Sequence, residues 1–178
     1  MTATREVVIR PAIARDARAI AEVHVASWRW AYADDLPASL LDGLSVDERE
    51  VAHRRQLEDP ATPVRVVVAE GPPGRIVGFA STGPTRDEDA PPETGELFAI
   101  YLLAEAAGAG AGRALLERAT TDLGAAGFTR ATLWVLASNG RARRFYERAG
   151  WVWDGTTGEH RFDCGNRPIV RYVVDVPG

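Results

Sequence analysis

ELFAIYLL (residues 96–103) and AEAAGAGAGRALLERATTDLGAAG (residues 104–127) are the consecutive stretches that decide the fold. The first is mostly apolar and predicts a strand, which is buried on both faces if it lies at the centre of a sheet. Apolar residues recur at helical spacing after Arg113, so alternate glycines lie between a strand and a helix. Small residues let backbone N–H groups converge, and a helix N-terminus adds partial positive charge. The junction therefore predicts an anion site, with a flexible turn in an alanine-rich chain as the alternative.

A second informative block, TRATLWVLASNGRARRFYERAGW, occupies residues 129–151. It begins as an alternating strand, and Asn139 then starts a helix that ends near Gly150. Asn139 and Tyr146 are separated by two helical turns, so both lie near one face of that helix. A tyrosine hydroxyl, whose ordinary pKa is about 10, can donate a proton to a leaving thiolate or alcohol. The alternatives are that Tyr146 only packs the helix on a sheet and that Asn139 only caps the helix.

The rest of the chain predicts short strands and helices around one acidic loop. A strand over 7–10 precedes a helix over 16–32, and a second helix covers 46–58. VRVVVAE and RIVGFAST flank GPPG and predict an antiparallel hairpin, and two further strands flank the CGN turn near the end. TRDEDAPPETG (85–95) predicts an exposed loop. No linker or repeat divides the chain, so residues 1–178 are expected to form one mixed α/β domain.

The composition excludes several classes of protein. The formal net charge of −4 provides no basic field for a nucleic-acid backbone. All 21 basic residues are arginine, which excludes lysine Schiff-base enzymes and P-loop nucleotide enzymes of the usual kind. One cysteine and three scattered histidines predict neither a disulfide nor a metal site. Because the sequence shows no apolar targeting or membrane segment, we expect a cytoplasmic protein without a membrane partner.

The glycine turn and the second block, in this order and spacing, resemble the GNAT superfamily of N-acetyltransferases, which transfer an acyl group from coenzyme A to an amine. The likeness is strongest over residues 94–153, and N-x-x-A-x-x-F-Y-x-x-x-G-W (139–151) is its most specific part. The resemblance implies one twisted, mostly antiparallel sheet of about six to seven strands with splayed central strands. About four helices would flank this sheet. Acetyl-CoA is implied as the co-substrate, without a metal.

The resemblance also implies functional positions. Tyr146 matches the general acid for the coenzyme A thiolate, and Asn139 matches a contact to the pantetheine or nucleotide arm. Arg143 and Arg144 are expected to reach the terminal phosphates, with solvated helix charges as the alternative. The other positions that match the coenzyme A site lie on the fourth strand and in the glycine turn: Ile100, Tyr101, Leu102, Gly108, Ala109, Gly110, Ala111, Gly112 and Arg113.

The glycine turn departs from the family pattern Q/R-x-x-G-x-G/A. Ala107 occupies the Gln or Arg position, and Ala109 occupies a position that is often basic. Backbone amides can still bind an anion there, but a lost charge-assisted hydrogen bond is worth roughly 1.5–3 kcal/mol. We therefore expect either compensation by Arg113 or a coenzyme affinity about ten- to a hundredfold weaker than usual.

Candidate base and acceptor residues are also implied by the resemblance. Glu96 matches a carboxylate that several members use as a general base through water, and a solvent-facing strand end is its alternative. Another position used for the base holds Trp134, which cannot accept a proton. The acceptor side would be formed by an aromatic-rich set: Trp28, Trp30, Tyr32, Trp153 and His160. Acidic residues that either attract a cationic amine or are only solvated are Asp34, Asp35, Asp87, Glu88 and Asp89.

The leading functional hypothesis is an acetyl-CoA-dependent N-acetyltransferase that uses direct attack in a ternary complex. Aromatic walls favour a small-molecule primary amine, such as an amino acid, a polyamine or an antibiotic-like amine, over a long peptide. The alternatives are a protein or peptide N-acetyltransferase and a non-catalytic acyl-CoA-binding regulatory domain. A homodimer through the late strands is a further expectation.

Overall fold

The computed structural model describes residues 7–177. Its strands are β1 (Val8–Pro11), β2 (Arg65–Gly71), β3 (Arg75–Pro84), β4 (Thr94–Leu102), β5 (Arg130–Leu136), β6 (Val152–Phe162) and β7 (Gly165–Asp175). They form one sheet in the order β1-β2-β3-β4-β5-β7-β6. Neighbouring strands are antiparallel, except that β4 and β5 are parallel.

Five α-helices are present in the described part of the chain: α1 (Ala17–Ala31), α2 (Ala38–Asp42), α3 (Val46–Glu58), α4 (Ala111–Ala125) and α5 (Gly140–Arg148). Short 3-10 turns precede α1 and follow β4, at Ala14–Asp16 and Ala104–Ala106. The sequence did not predict α2, because a single helical turn after Pro37 is too short to show helical periodicity.

Two apolar layers cover the two faces of the sheet, and β2 contributes to both. Val67 packs into one layer with Leu115 of α4, whereas Val68 packs into the other with Ile20 of α1. Successive strand residues point to opposite faces, so the continuous apolar run of β2 is buried on both sides. Helix α4 therefore covers one face, and α1 covers the other.

The strands at the centre of the sheet diverge. β4 and β5 pair only where Thr94–Glu96 lies opposite Arg130–Thr132. Beyond this point β4 continues to Leu102 and β5 to Leu136 without pairing to each other. The sheet thus consists of a first arm, β1 to β4, and a second arm, β5, β7 and β6. A wedge-shaped opening separates the arms, and it contains the candidate site.

The predicted fold class is confirmed, including the mostly antiparallel sheet and the splayed central strands. β4 is fully buried only over residues 94–97, and residues 98–102 are half-buried, because the wedge opens beside them. The expectation of burial on both faces therefore holds for only half of this strand. β6 is an edge strand that exposes Val152 and Trp153. A homodimer through this edge stays a prediction.

Candidate active site

A cleft of about 840 Å³ occupies the wedge between the two arms. β4, β5 and the N-terminal ends of α4 and α5 form its walls, and the C-terminal end of α1 closes one side. This volume lies within the range typical of small-molecule sites. Predicted residues that line the cleft are Trp28, Trp30, Tyr32, Glu96, Ile100, Tyr101, Leu102, Gly108, Gly110, Gly112, Arg113, Asn139, Tyr146 and His160.

The glycine turn presents backbone donors at one wall of the cleft. Gly108 and Gly110 have φ angles of 81° and 91°, in the left-handed region that side chains rarely adopt. Gly110 is the N-cap of α4, and its carbonyl accepts from the N–H of Ala114. Helix geometry leaves the preceding N–H groups, those of residues 111–113, without partners inside the helix. These donors and the positive end of α4 suit an anion.

The side chains around this turn add little charge. Ala107 lines the cleft but carries no cation, and Ala109 is exposed outside the lining. Ala111 is 1% exposed and is not among the residues that line the cleft. Arg113 lines the cleft and forms an exposed ion pair with Glu117 on the next helical turn, with Nε 2.7 Å from Oε1. That hydrogen bond raises the pKa of Arg113.

The cleft-facing edge of β4 has unpaired backbone groups. Ile100, Tyr101 and Leu102 pair with β3 on one edge of the strand, whereas pairing to β5 ends at Glu96. Gly112 packs against this strand, since a Cβ there would lie only 3.0 Å from Leu102 Cδ1. The N–H and C=O groups of this edge therefore face the cleft and require hydrogen-bond partners.

Asn139 and Tyr146 both line the cleft from α5. The Asn139 Oδ1 atom accepts from the N–H of Ala142 at 3.0 Å, so the cap that the sequence indicated is present. Tyr146 is 8% exposed and packs against Trp151 and Tyr172. Burial raises the pKa of Tyr146, which keeps the phenol protonated at physiological pH. Tyr146 thus combines the packing role with access to the cleft.

Arg143 turns away from the cleft. Its Nε donates to the Tyr172 hydroxyl at 3.1 Å, and its Nη1 donates to the Ala137 carbonyl at 3.1 Å. The Tyr172 hydroxyl in turn donates to Glu147 Oε1 at 2.6 Å. In this position the guanidinium ties α5 to β7, and it is neither at the glycine turn nor a fully solvated charge.

Glu96 lies where β4 and β5 diverge and is only 2% exposed. Its Oε2 accepts from the Arg86 N–H at 2.9 Å and from Arg86 Nε at 3.3 Å, and its Oε1 accepts from Nη2 at 2.7 Å. The Arg86 guanidinium stacks on Phe98, 4.4 Å from the ring centre, and its hydrogen bonds to Glu96 raise the pKa of Arg86. The solvent-facing alternative for Glu96 is therefore wrong.

The side of the cleft that was predicted to bind the acceptor is aromatic. Trp28 lies edge-on to Tyr32 at 5.1 Å, and Trp30 stacks under Arg141 with the guanidinium carbon 4.0 Å from the ring centre. His160 lines the same side, whereas Trp153 is 46% exposed and lies outside the lining.

The acidic residues fall into two groups. Asp34 and Asp35 line the cleft, but Asp87 and Asp89 are bound by Arg171 of β7. The loop that contains Asp87 and Asp89 was predicted to be merely exposed, and this prediction is wrong for Asp87, whose side chain is only 12% exposed and is bound by Arg171.

Sequence reasoning missed the partners that long-range contacts supply. Arg86 and Arg141 are specified by no motif that points to the site. Only the fold brings Arg86 to Glu96 and Arg141 to Trp30. The histidines described as scattered include a half-buried pair, in which His24 Nδ1 lies 3.1 Å from His53 Nε2. The one local signal was the position of His24 one helical turn before Trp28.

Residues 7–177 include no helix that is long and apolar enough to cross a membrane. The same residues contain no group of three or more His, Cys, Asp or Glu side chains arranged to hold a metal ion.

Known proteins resemble this chain in sequence and in structure. YuaI of Bacillus subtilis, named as an uncharacterized N-acetyltransferase, is 40% identical over 134 residues, which cover 75% of this chain and 73% of YuaI. A mycothiol acetyltransferase of Propionibacterium freudenreichii is 34% identical over 102 residues, covering 57% of this chain and 32% of that protein. PaiA N-acetyltransferase of Thermoplasma acidophilum, solved with coenzyme A, superimposes with a TM-score of 0.73. It covers 93% of this chain and 98% of its own, and at 19% identity this likeness shows the fold.

The profile of the acetyltransferase (GNAT) family matches residues 19–151, which include the cleft from α1 through α5. The similarity to YuaI extends over most of both chains and supports the same family. The chain belongs to the acetyltransferase (GNAT) family and is an acetyl-CoA-dependent N-acetyltransferase.

Proposed function

We propose that the protein acetylates the primary amine of a small molecule by direct attack of the amine on acetyl-CoA in a ternary complex. The observation that carries the proposal is one cleft lined by an anion-binding turn, a buried carboxylate, a buried tyrosine and an aromatic wall. These four elements correspond to coenzyme binding, proton acceptance, proton donation and acceptor binding.

The coenzyme fits the backbone of the cleft better than its side chains. The N–H groups of Gly112 and Arg113, which line the cleft, and the positive end of α4 would hold the pyrophosphate. The free edge of β4 at Ile100–Leu102 would pair with the pantetheine amides, and Asn139 would contact the same arm. Arg113 is the cation nearest to this turn along the chain, and its partner Glu117 is exposed, so the ion pair can rearrange.

Glu96 is the candidate general base. A carboxylate offers about four acceptor positions, and Arg86 donors occupy three of them. One position on Oε1 remains for a water molecule that passes the amine proton to the carboxylate. Since Arg86 fixes both oxygens, this position has a defined direction at the point where the arms diverge.

Tyr146 is the candidate general acid. Acetyl-CoA supplies the acetyl thioester, and the backbone amides of β4 would polarise its carbonyl. The nitrogen of the acceptor forms the new bond to the acyl carbon as the carbon–sulfur bond breaks. Tyr146 then donates its proton to the departing thiolate, and its raised pKa ensures that the proton is present at the start.

The acceptor is assigned to the side of the cleft near α1. Trp28, Trp30 and Tyr32 provide apolar walls for a compact organic amine, and Asp34 and Asp35 provide negative charge for its cationic form. One relative is named for a small molecule, mycothiol, and this name also supports a small acceptor. Cytoplasmic location and a homodimer stay predictions.

The test begins with calorimetry of acetyl-CoA binding and then measures thiol release with lysine, spermidine, tryptamine and kanamycin. We expect binding in the micromolar range and at least one amine that is acetylated. Labelling of protein in a cell extract with none of these amines acetylated would favour the protein-modifying alternative. The variant Glu96→Gln should lower kcat by about 10²-fold or more, while Glu93→Gln, an exposed carboxylate in the preceding loop, serves as its control.

A further inference from the structure

Arg171 of β7 is a buried cation that the proposed chemistry does not use. It is 8% exposed and binds Asp89 through two parallel contacts, Nη1–Oδ1 at 2.7 Å and Nη2–Oδ2 at 2.9 Å. Nη1 also lies 3.3 Å from Asp87 Oδ2, and Nε lies 2.8 Å from Asp154 Oδ2. Nη2 donates in addition to the Thr156 hydroxyl at 3.1 Å. A planar guanidinium can satisfy such a set of acceptors, whereas an ammonium group cannot do so with this geometry.

Two of these carboxylates belong to residues 85–93, the loop that joins β3 to β4. Asp87 is held a second time, because its Oδ1 accepts from Trp134 Nε1 at 2.8 Å. Trp134 and Arg171 lie directly opposite each other on β5 and β7. The β3–β4 loop, which comes from the first arm, is therefore fastened to adjacent side chains of the second arm.

The same loop binds the candidate base, Glu96 of β4. Arg86 directly precedes Asp87, and its backbone N–H and guanidinium bind Glu96. A continuous path thus leads from Arg171 to Glu96. Arg171 pairs with Asp87 at 3.3 Å, Asp87 is joined to Arg86 by the peptide bond, and Arg86 donates hydrogen bonds to Glu96. This series crosses from one arm to the other at the end of the β4–β5 pairing.

We propose that Arg171 is a positioning residue for Glu96. It clamps the β3–β4 loop to the second arm and so fixes the Arg86–Glu96 pair where the two arms diverge. A buried ion network is weak evidence for stability by itself, because desolvation offsets much of its attraction. A role in positioning Glu96 would explain why a buried arginine joins the two arms of the sheet beside the cleft. This inference rests on the proposed role of Glu96.

Trypsin cleavage of the native protein tests the clamp without any acceptor. The chain has no lysine, and Arg86 is the one arginine in residues 85–93, so a cut there gives fragments 1–86 and 87–178. Arg171→Gln should increase the rate of this cleavage at least tenfold. The matched control is Arg10→Gln, because Arg10 also binds two carboxylates, Asp16 and Glu70, but on β1 away from the cleft. Equal cleavage after Arg86 in wild type, control and variant would overturn the clamp.

Kinetics test whether the clamp acts through Glu96. With the amine that gives the fastest thiol release, Arg171→Gln should lower kcat at least tenfold and leave the acetyl-CoA Kd within twofold. In the Glu96→Gln background the same substitution should change kcat less than twofold, because there is no base left to position. Arg171→Lys keeps the charge without the fork, so it should also lower kcat, and it replaces the Gln variant if that variant does not fold.

The outcomes separate the two proposals. If Glu96→Gln lowers kcat but Arg171→Gln lowers it by the same factor in both backgrounds, Arg171 does not act through Glu96 and the positioning proposal fails alone. If Glu96→Gln retains wild-type kcat, the proposed base and its positioning residue fail together.

Discussion

Replacement of Arg143 by methionine separates structural support from coenzyme binding at the α5 helix. Methionine keeps the unbranched stem of the side chain as far as the position of Nε but removes both donors, which now bind the Tyr172 hydroxyl and the Ala137 carbonyl at 3.1 Å each. Tyr172 is fully buried, so its hydroxyl would keep Glu147 as partner and lose the cation.

The expected magnitude follows from these two hydrogen bonds. Charge-assisted hydrogen bonds contribute about 1.5–3 kcal/mol when buried, and we take about 1 kcal/mol for each because Arg143 is half-exposed. Arg143→Met should therefore lower the free energy of unfolding by about 2 kcal/mol, which corresponds to a Tm lower by about 4–8 °C for a domain of this size. The acetyl-CoA Kd should stay within twofold of wild type.

The assay is thermal unfolding followed by circular dichroism, together with calorimetry of acetyl-CoA binding. Arg148→Met is the control, because Arg148 is an exposed arginine at the other end of the same helix. An acetyl-CoA Kd that rises at least tenfold with an unchanged Tm would refute the structural role. Such a result would support a contact between Arg143 and the phosphates of the coenzyme.

Three further outcomes follow from the geometry. Tyr146→Phe should reduce kcat for thiol release by about 10²-fold with the acetyl-CoA Kd within twofold, and an unchanged kcat would remove Tyr146 from proton transfer. Gly110→Ala forces a side chain into the left-handed region, which costs roughly 1–2 kcal/mol. Calorimetry should show a higher acetyl-CoA Kd for Gly110→Ala than for wild type. The control is Gly127→Ala, which has a similar φ at the other end of α4 and should lower stability without changing the acetyl-CoA Kd. Burial lowers the pKa of His24 to about 3 and also lowers that of His53. Below the ordinary histidine pKa of about 6.5, the unfolded chain binds a proton on each histidine, whereas the folded chain keeps both rings neutral. The free energy of unfolding should therefore decrease as the pH falls, by up to about 1.4 kcal/mol per pH unit for one such group, and urea unfolding measures this. A flat profile from pH 7 to pH 5 would contradict this expectation.

The local parts of the site were predictable because local chemistry determines them. Positive φ at Gly108 and Gly110 and the cap at Asn139 depend on residues within one turn of each position. The short-range pattern also indicated the strand before the glycine turn and the helix after it. Its burial was less predictable, because the divergence of β4 from β5 exposes one half of the strand to the cleft.

The long-range parts were not predictable from pattern. Arg171 is far from Asp87 and Asp89 in sequence, and composition alone classed the acidic, proline-rich loop as solvated. Only the order of the strands places β7 beside β5 and brings the cation to the loop. Arg143 is a second example. Its position on α5 is compatible with a phosphate contact, and only the fold shows that it binds the Tyr172 hydroxyl instead.

The distribution of arginines bears on how the coenzyme is held. The guanidinium groups of Arg86 and Arg171 bind protein carboxylates, and that of Arg143 binds a carbonyl and a hydroxyl. Ala107 stands where the family pattern places a Gln or Arg side chain at the glycine turn, so this position offers neither an amide nor a cation. We therefore expect the affinity for the pyrophosphate to depend mainly on backbone N–H groups whose directions the two left-handed glycines fix, with Arg113 as the nearest cation along the chain. In the proposed binding mode, the geometry of the turn would determine coenzyme binding more than the number of cations near it. Arg86, Arg143 and Arg171 would then serve to hold the two arms and the proposed base in place.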